Sequence, residues 1–384
     1  MAPGAVEAEV VVVGAGPAGL AVGACLRRAG IPFLLLEKEE QVGAIWRRHY
    51  DRLHLHTDRG HSALPFLPFP KSYPRYASRQ QVVDYLQAYA RAFDLAPRFG
   101  EGLVAARRAA RGWEVETRSG RYRARAVVLA TGFCAEPVRP RWPGLETYRG
   151  TVLHSSEYRS GEPFRGRDVL VVGLGNSGGE IAIDLVEHGA RPALSVRGPV
   201  NLLPLELFGL PILTWSLALS RLPPRLADAI ARPLLRAALG DPTRLGFARP
   251  AAGPMRQIRE RARIPLIDVG TLALVEAGRI AVRPGIDRFS AEGVVFAGGA
   301  RARFDAVVLA TGYRHALERV VEGAEALVDD DGRPRASGRE SALPGLYLCG
   351  FHVAPTGMLR EIGLEARRIA ADLARGRAAR RRGG

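Results

Sequence analysis

An α/β protein built from two Rossmann-like dinucleotide-binding domains is the fold class that three features of this 384-residue sequence predict. An apolar run breaking into GxGxxG occurs twice, once as Val10-Val11-Val12-Val13-Gly14-Ala15-Gly16-Pro17-Ala18-Gly19 and again as Val169-Leu170-Val171-Val172-Gly173-Leu174-Gly175-Asn176-Ser177-Gly178. A hairpin leading into an apolar strand that ends in Ala-Thr-Gly also occurs twice, at Ala130-Thr131-Gly132 and Ala310-Thr311-Gly312. Between the two fingerprints runs a polar and aromatic stretch, residues 148–158, read as the hinge where one domain hands over to the other.

The first fingerprint starts from a strand over 10–13, followed by a helix from about Pro17 to Ala29 and a strand over 32–36 that ends at Glu37. This is the sequence form of a βαβ unit. Glu37 follows Gly14 at close to the spacing of about 20 residues where an acid meets the adenosine ribose. Residues 49–74 are rich in His, Pro and aromatic residues, which rules out a helix or an inner strand and predicts a long ordered loop that lines or covers a ligand site. Ser78 with Gln81 forms a capping box, and Val82, Leu86, Tyr89 and Phe93 recur at helical spacing, so a packing helix runs to about Phe93. Residues 113–117 and 121–125 flank Ser119-Gly120 as a hairpin, and 126–130 form the strand behind it. The second half copies this with 293–296, 300–304 and 307–310. The strand over 343–348 and the helix to about Leu373 return to the first domain.

Composition narrows the remaining possibilities. With 47% apolar residues the chain can bury a large core. Its net charge of +16 comes almost wholly from arginine, Lys38 and Lys71 being its lysines, and no aromatic-and-basic stripe recurs. A solvated basic surface is expected rather than a nucleic-acid groove. Cys25, Cys134 and Cys349 form no CxxC pair, so no metal site and no dithiol redox centre are suggested. The first strand follows no charged n-region and the longest apolar run, 207–219, is broken by Gly209 and Pro211; a soluble cytoplasmic protein is expected, with no transmembrane segment. The arginine-rich end from about residue 375 reads as a disordered basic tail.

Together, the two fingerprints, the two Ala-Thr-Gly strand ends and the intervening Tyr148-Arg149-Gly150-Thr151-Val152-Leu153-His154-Ser155-Ser156-Glu157-Tyr158 resemble the class B flavin-dependent monooxygenases. More narrowly, Leu53-His54-Leu55-His56-Thr57, Tyr73-Pro74 with Gln80-Gln81, Ser160-Gly161-Glu162 with Phe164-Arg165-Gly166, Leu239-Gly240-Asp241 and Asp268-Val269-Gly270-Thr271-Leu272 resemble the YUCCA-type indole-3-pyruvate monooxygenases. The resemblance implies a glutathione-reductase-like two-domain flavoprotein: an FAD-binding domain over 1–163 and 313–384, and an NADPH-binding domain over 164–312. It implies FAD on Gly14, Gly16, Gly19, Glu37 and Gly350, and NADPH on Gly173, Gly175, Asn176, Ser177, Gly178 and Arg197.

The activity implied is NADPH- and oxygen-dependent decarboxylation of an aromatic 2-oxo acid, indole-3-pyruvate giving indole-3-acetate, through hydride transfer to flavin and a C4a-peroxyflavin. Oxygenation of a sulfide, amine or ketone is the alternative, and a non-oxygenating NADPH oxidase or reductase is another. The partners expected are a small-molecule substrate and molecular oxygen, with no nucleic acid and at most peripheral membrane contact through Arg221, Arg225 and Arg232. The sequence does not specify an oligomeric state. No protein acid–base pair is expected. His154 and Thr57 are the candidate catalytic residues near the flavin and NADP, His154 being equally readable as a satisfied junction histidine. The motif departs from the family in carrying Tyr148 where phenylalanine is commoner. Its Tyr158-Arg159 ending differs from the Trp-Pro of typical Baeyer–Villiger enzymes, and the loop at 53–58 lacks the asparagine of the amine- and sulfide-oxidising members. Residues 201–222, with Phe208 and Trp215, are candidates for a substrate-pocket wall or for ordinary core.

Overall fold

A computed structural model describes residues 5–383. Its contacts divide the chain into two compact units, one of Met1–Arg47, Asp58–Glu136 and Arg314–Gly384, the other of Arg48–Thr57 and Pro137–Tyr313. The architecture is mixed α/β.

The first unit is organised on a sheet in the order Phe33–Leu36, Val6–Val13, Arg121–Leu129, Trp113–Thr117, Leu103–Arg108, with Leu346–Leu348 also paired to Arg121–Leu129. Val10, Val11, Val12 and Val13 are all buried because parallel strands flank them on both sides and both sheet faces are covered. Removing such a side chain from water contributes on the order of 1.5–3 kcal/mol. The hairpin arm 121–125 and the strand 126–130, read as separate, are one strand with two characters. Its first half alternates exposed Arg121, Arg123 and Arg125 with buried Tyr122 and Ala124, facing an antiparallel neighbour; its second half, Ala126 to Leu129, is buried throughout. The helix Arg79–Ala92 starts at the predicted capping box, with Ser78 Oγ accepting from Gln81 N and Gln81 Oε1 accepting from Ser78 N. Tyr85 and Tyr89 reach from this helix to the carbonyls of Leu67 and Pro65, which orders the proline-rich loop without regular structure.

The second unit holds a five-stranded parallel sheet in the order Ala281–Arg283, Arg191–Ser195, Asp168–Val172, Ala306–Leu309, Thr151–His154. Beside it stand a three-stranded meander, Ile286–Ser290, Gly293–Phe296 and Arg301–Ala302, and the helices Ile212–Leu219, Pro224–Leu239 and Pro254–Arg261.

Two segments group differently from the sequence boundaries at 163/164. Residues 137–163 belong with the second unit, because Thr151–His154 hydrogen-bonds along Ala306–Leu309 as a parallel edge strand. Within the stretch read as a hinge, Thr151–His154 is therefore a sheet strand. Residues 48–57 also belong with the second unit, through ion pairs that no local pattern encodes. The expected disordered tail from about 375 is corrected as well: the helix Met358–Gly383 continues through it. Arg377 donates to Gly30 O and pairs with Glu9, and Arg375 pairs with Asp372, so the charges are placed against partners that support the helix.

Candidate functional site

The two glycine turns share one backbone plan. Gly14 N donates to Leu36 O at 2.7 Å, and Gly173 N donates to Ser195 O at 3.0 Å. Both glycines have φ near the left-handed region, +107° and +104°, and a Cβ on either would lie 2.6 Å from a carbonyl oxygen, of Ala130 or Ala310. The third glycines pack against the first: a Cβ on Gly19 would meet Gly14 O at 1.7 Å, and one on Gly178 would meet Gly173 O at 2.0 Å. The chain's own packing thus dictates four of the six glycines.

The middle glycines differ. Gly16 (φ −79°) and Gly175 (φ −111°) adopt backbone that any residue tolerates, and a Cβ on either would have nothing within 4 Å. Each is the N-cap of a helix, Pro17–Arg28 or Asn176–Glu187, with no side-chain cap and no acid in the first turn. An open glycine over uncapped N–H groups suits a diphosphate, which needs the backbone to approach it closely. The residues therefore fit a dinucleotide at both turns.

Beyond the glycines the turns diverge. Glu37, buried just past Phe33–Leu36, accepts from Ala15 N at 2.6 Å and from Glu39 N at 3.1 Å, leaving about half of its carboxylate lone-pair sites to accept from a ribose. The sheet register places Val196 at the equivalent position, one residue past Arg191–Ser195. Arg197 follows it, exposed, with its stem against Gly285. Ser195 is buried and donates to Pro284 O. Asn176 and Ser177 have structural tasks: Asn176 Oδ1 accepts from Ile267 N at 2.8 Å, and Ser177 hydrogen-bonds the Tyr50 phenol. Gly350 lies in the first unit with φ +84°, its N–H donated to the buried Glu365 carboxylate at 2.6 Å; a Cβ there would crowd Ala18 on the helix Pro17–Arg28 at 3.1 Å. Its glycine is set by this packing.

His154 is fully buried in the second unit. Ser156 N donates to Nδ1 at 3.1 Å, so the proton sits on Nε2 and is donated to Gly312 O at 3.1 Å. The ring meets Tyr313 edge-on, and burial holds its pKa below the ordinary value. Nε2 thus ties the end of Thr151–His154 to the Ala-Thr-Gly turn, while Nδ1 is satisfied locally by Ser156. Thr57 is half-buried at the end of the segment Arg48–Thr57.

That segment reveals residues the sequence reading missed. Arg52 pairs with Glu187 at 2.9 Å and with Glu180 at 3.4 Å, and His56 Nε2 hydrogen-bonds the other Glu180 oxygen. Tyr158 donates to Asp184 at 2.6 Å, its phenol pushed up by burial and by that carboxylate. Glu180, Asp184 and Glu187 thus form an acidic ridge on the helix Asn176–Glu187. Their spacing of three and four is visible in the sequence, but their partners, more than a hundred residues away for Arg52 and His56, are not. Another missed contact is Thr271, buried with no hydrogen-bond partner for its hydroxyl among the described residues, where a Cβ on Gly179 would come within 2.8 Å.

Of the proposed pocket wall, Trp215 lines a small apolar pocket, a cavity of about 30 Å³, with Leu203, Leu207, Leu235 and Met255. Phe208 does not: it stands 69% exposed at a hairpin tip.

Residues 11–201 match the model of the pyridine nucleotide-disulphide oxidoreductase family. An indole-3-pyruvate monooxygenase of Oryza sativa subsp. japonica, YUCCA1, is 42% identical over 348 residues, covering 89% of this chain and 86% of its own. The Arabidopsis thaliana indole-3-pyruvate monooxygenase YUCCA6 is 40% identical over 375 residues, covering 94% and 89%. Among solved structures, the flavin-containing monooxygenase of Stenotrophomonas maltophilia superposes with a TM-score of 0.73 at 27% identity, covering 97% of this chain and 99% of its own. Cyclohexanone monooxygenase shares the fold, with a TM-score of 0.75 at 19% identity and coverage of 97% and 88%. With relatives this similar over most of its length, the chain belongs to the YUCCA-type indole-3-pyruvate monooxygenase family of flavin-dependent oxidoreductases.

Proposed function

We propose that both units are Rossmann-like dinucleotide domains, that the first holds FAD and the second NADPH, and that the enzyme oxidatively decarboxylates an aromatic 2-oxo acid, with indole-3-pyruvate as substrate and oxygen as co-substrate. Likeness to indole-3-pyruvate monooxygenases over 89% and 94% of the chain carries this reading. The open middle glycine in each turn supports the two nucleotides, and the acid at one turn but not the other supports their assignment. A cytoplasmic setting fits three free cysteines.

In this reading the backbone N–H groups at the start of Pro17–Arg28 bind the FAD diphosphate, and Glu37 accepts from the adenosine ribose. Bound flavin supplies hydride acceptance and oxygen activation, chemistry that no side chain offers. Asn176–Glu187 presents its N-terminus to the NADPH diphosphate. Arg197, in place of an acid, donates to the 2′-phosphate. His154, neutral, keeps the Gly312 carbonyl in place with its one ring N–H, which is thereby committed to the backbone. It is a positioning residue.

The test is turnover of the purified protein with NADPH, oxygen and either indole-3-pyruvate or a thioether. Indole-3-acetate formed in step with NADPH consumption is expected. Sulfoxide from the thioether with no turnover of indole-3-pyruvate would move the assignment to a sulfide or amine oxygenase. Hydrogen peroxide as the product with both compounds would make the protein an NADPH oxidase.

A further inference from the structure

The helix Pro224–Leu239 buries Ala227, Asp228 and Ala231, and leaves two adjoining stripes exposed. Leu226, Ile230, Pro233 and Ala237 fall on one line at spacings of four, three and four, with Leu226 50% and Ile230 41% exposed. Arg225, Arg232 and Arg236 form the neighbouring line. The helix carries a single acid, Asp228, and that carboxylate is turned inward, accepting from Met255 N at 2.8 Å and Arg256 N at 3.2 Å. A second exposed apolar feature rises from the same small core of Leu203, Leu207 and Ile212. In the hairpin Glu206–Leu207 and Leu210–Pro211, Phe208 takes φ +52° while 69% exposed, and Leu210 is 48% exposed. A bulky side chain held at positive φ in water is disfavoured in both respects, and its T-shaped contact with Trp215 leaves it 69% exposed.

We propose that this part of the second unit, the hairpin tip and the exposed face of Pro224–Leu239, docks on an anionic lipid surface. An apolar stripe beside a row of arginines, on a helix with no exposed acid of its own and with Glu260 of the neighbouring helix near Arg225 alone of the three, is the pattern of a helix lying in a membrane interface, where the apolar side chains enter the acyl boundary and the guanidinium groups meet lipid phosphates. Charge decides the occupant. A second copy of this chain would set arginine row against arginine row, and a nucleic acid would leave the leucine and isoleucine in water. The contact is peripheral, since no helix among the described residues is long and apolar enough to cross a membrane.

The experiment is flotation of the full-length protein with vesicles of phosphatidylcholine alone or mixed with phosphatidylglycerol. Flotation with the mixed vesicles only, weakening as salt rises, is expected. Leu226→Ser with Ile230→Ser should weaken it about tenfold or more, and Phe208→Ser with Leu210→Ser should weaken it independently. Arg225→Gln and Arg232→Gln should each cost about fivefold. Circular dichroism and NADPH turnover of the Leu226/Ile230 double variant should match the unsubstituted protein, which separates docking from folding. Failure to float with anionic vesicles, equal flotation with neutral ones, or flotation unchanged by the Leu226/Ile230 substitutions would overturn the proposal. So would a dimer in solution that those substitutions convert to monomer, since the patch would then be a self-interface.

Discussion

The two glycine turns are built alike and finished differently, and the difference separates what the fold requires from what a ligand requires. In both, the first and third glycines are fixed by carbonyl oxygens less than 3 Å from where a Cβ would stand, while the middle glycine has open space. After the following strand the first turn has the buried acid Glu37, whereas the second has Val196 in register and then Arg197. An acid suits free ribose hydroxyls and repels a 2′-phosphate; an arginine does the reverse. Parallel pairing extends the comparison to the sheet edge. Thr151–His154 lies beside Ala306–Leu309 as Leu346–Leu348 lies beside the end of Arg121–Leu129, so His154 holds the register place of Leu348. One unit ends that strand with packing, and the other with a hydrogen-bonded imidazole.

The largest effect is expected where the turns are alike. Gly19→Ala and Gly178→Ala force a methyl into a carbonyl and should each destabilise their unit by more than about 4 kcal/mol, measured by thermal or urea unfolding. If either variant unfolds like the parent, the glycine is not a packing requirement. A smaller effect is expected where they differ. Arg197→Glu should lower kcat/KM for NADPH relative to NADH by roughly tenfold, about 1.4 kcal/mol, while Lys38→Glu beside the first turn should leave that ratio unchanged; equal effects would erase the distinction between the turns. The smallest concerns the edge strand. His154 is held below its ordinary pKa of 6.5 by burial, so under acid conditions the unfolded chain takes up a proton that the native state resists. Stability is therefore full above that value, declines as pH falls toward the folded-state pKa, and levels off below it. His154→Gln should remove this contribution from a pH series of melting temperatures while leaving the coupling of NADPH use to product intact. Uncoupled oxygen consumption in that variant would instead give the imidazole a chemical task.

Local chemistry was legible in the sequence. The fingerprints, Glu37, the Ser78/Gln81 capping box and the repeated hairpin-and-strand all depend on spacings shorter than a βαβ unit. Three features lay beyond such spacings. Nothing near Arg48–Thr57 announces that Arg52 and His56 will pair with Glu180 and Glu187. Residues 151–154 have few apolar neighbours, so their place as an edge strand depends on Ala306–Leu309, far along the chain. The arginine-rich end looked disordered because its partners, Glu9 and Gly30, are distant in sequence. Within the sites, the types of the glycines were readable, but which of them serve packing and which are open was not, since that depends on the atoms opposite each Cβ.

The most direct measurement pairs Gly16→Ala with Gly175→Ala, the two substitutions that the fold itself has room for. Each purified variant is assayed for bound FAD and for the NADPH concentration that half-reduces its flavin without oxygen. A methyl lodged against a diphosphate costs about 1–3 kcal/mol, or about ten- to a hundredfold in affinity. Gly16→Ala should therefore be folded but depleted of FAD, and Gly175→Ala should keep its FAD while needing about ten- to a hundredfold more NADPH. Wild-type FAD content and NADPH response in both variants, or the two losses exchanged, would contradict the assignment of FAD to the first turn and NADPH to the second.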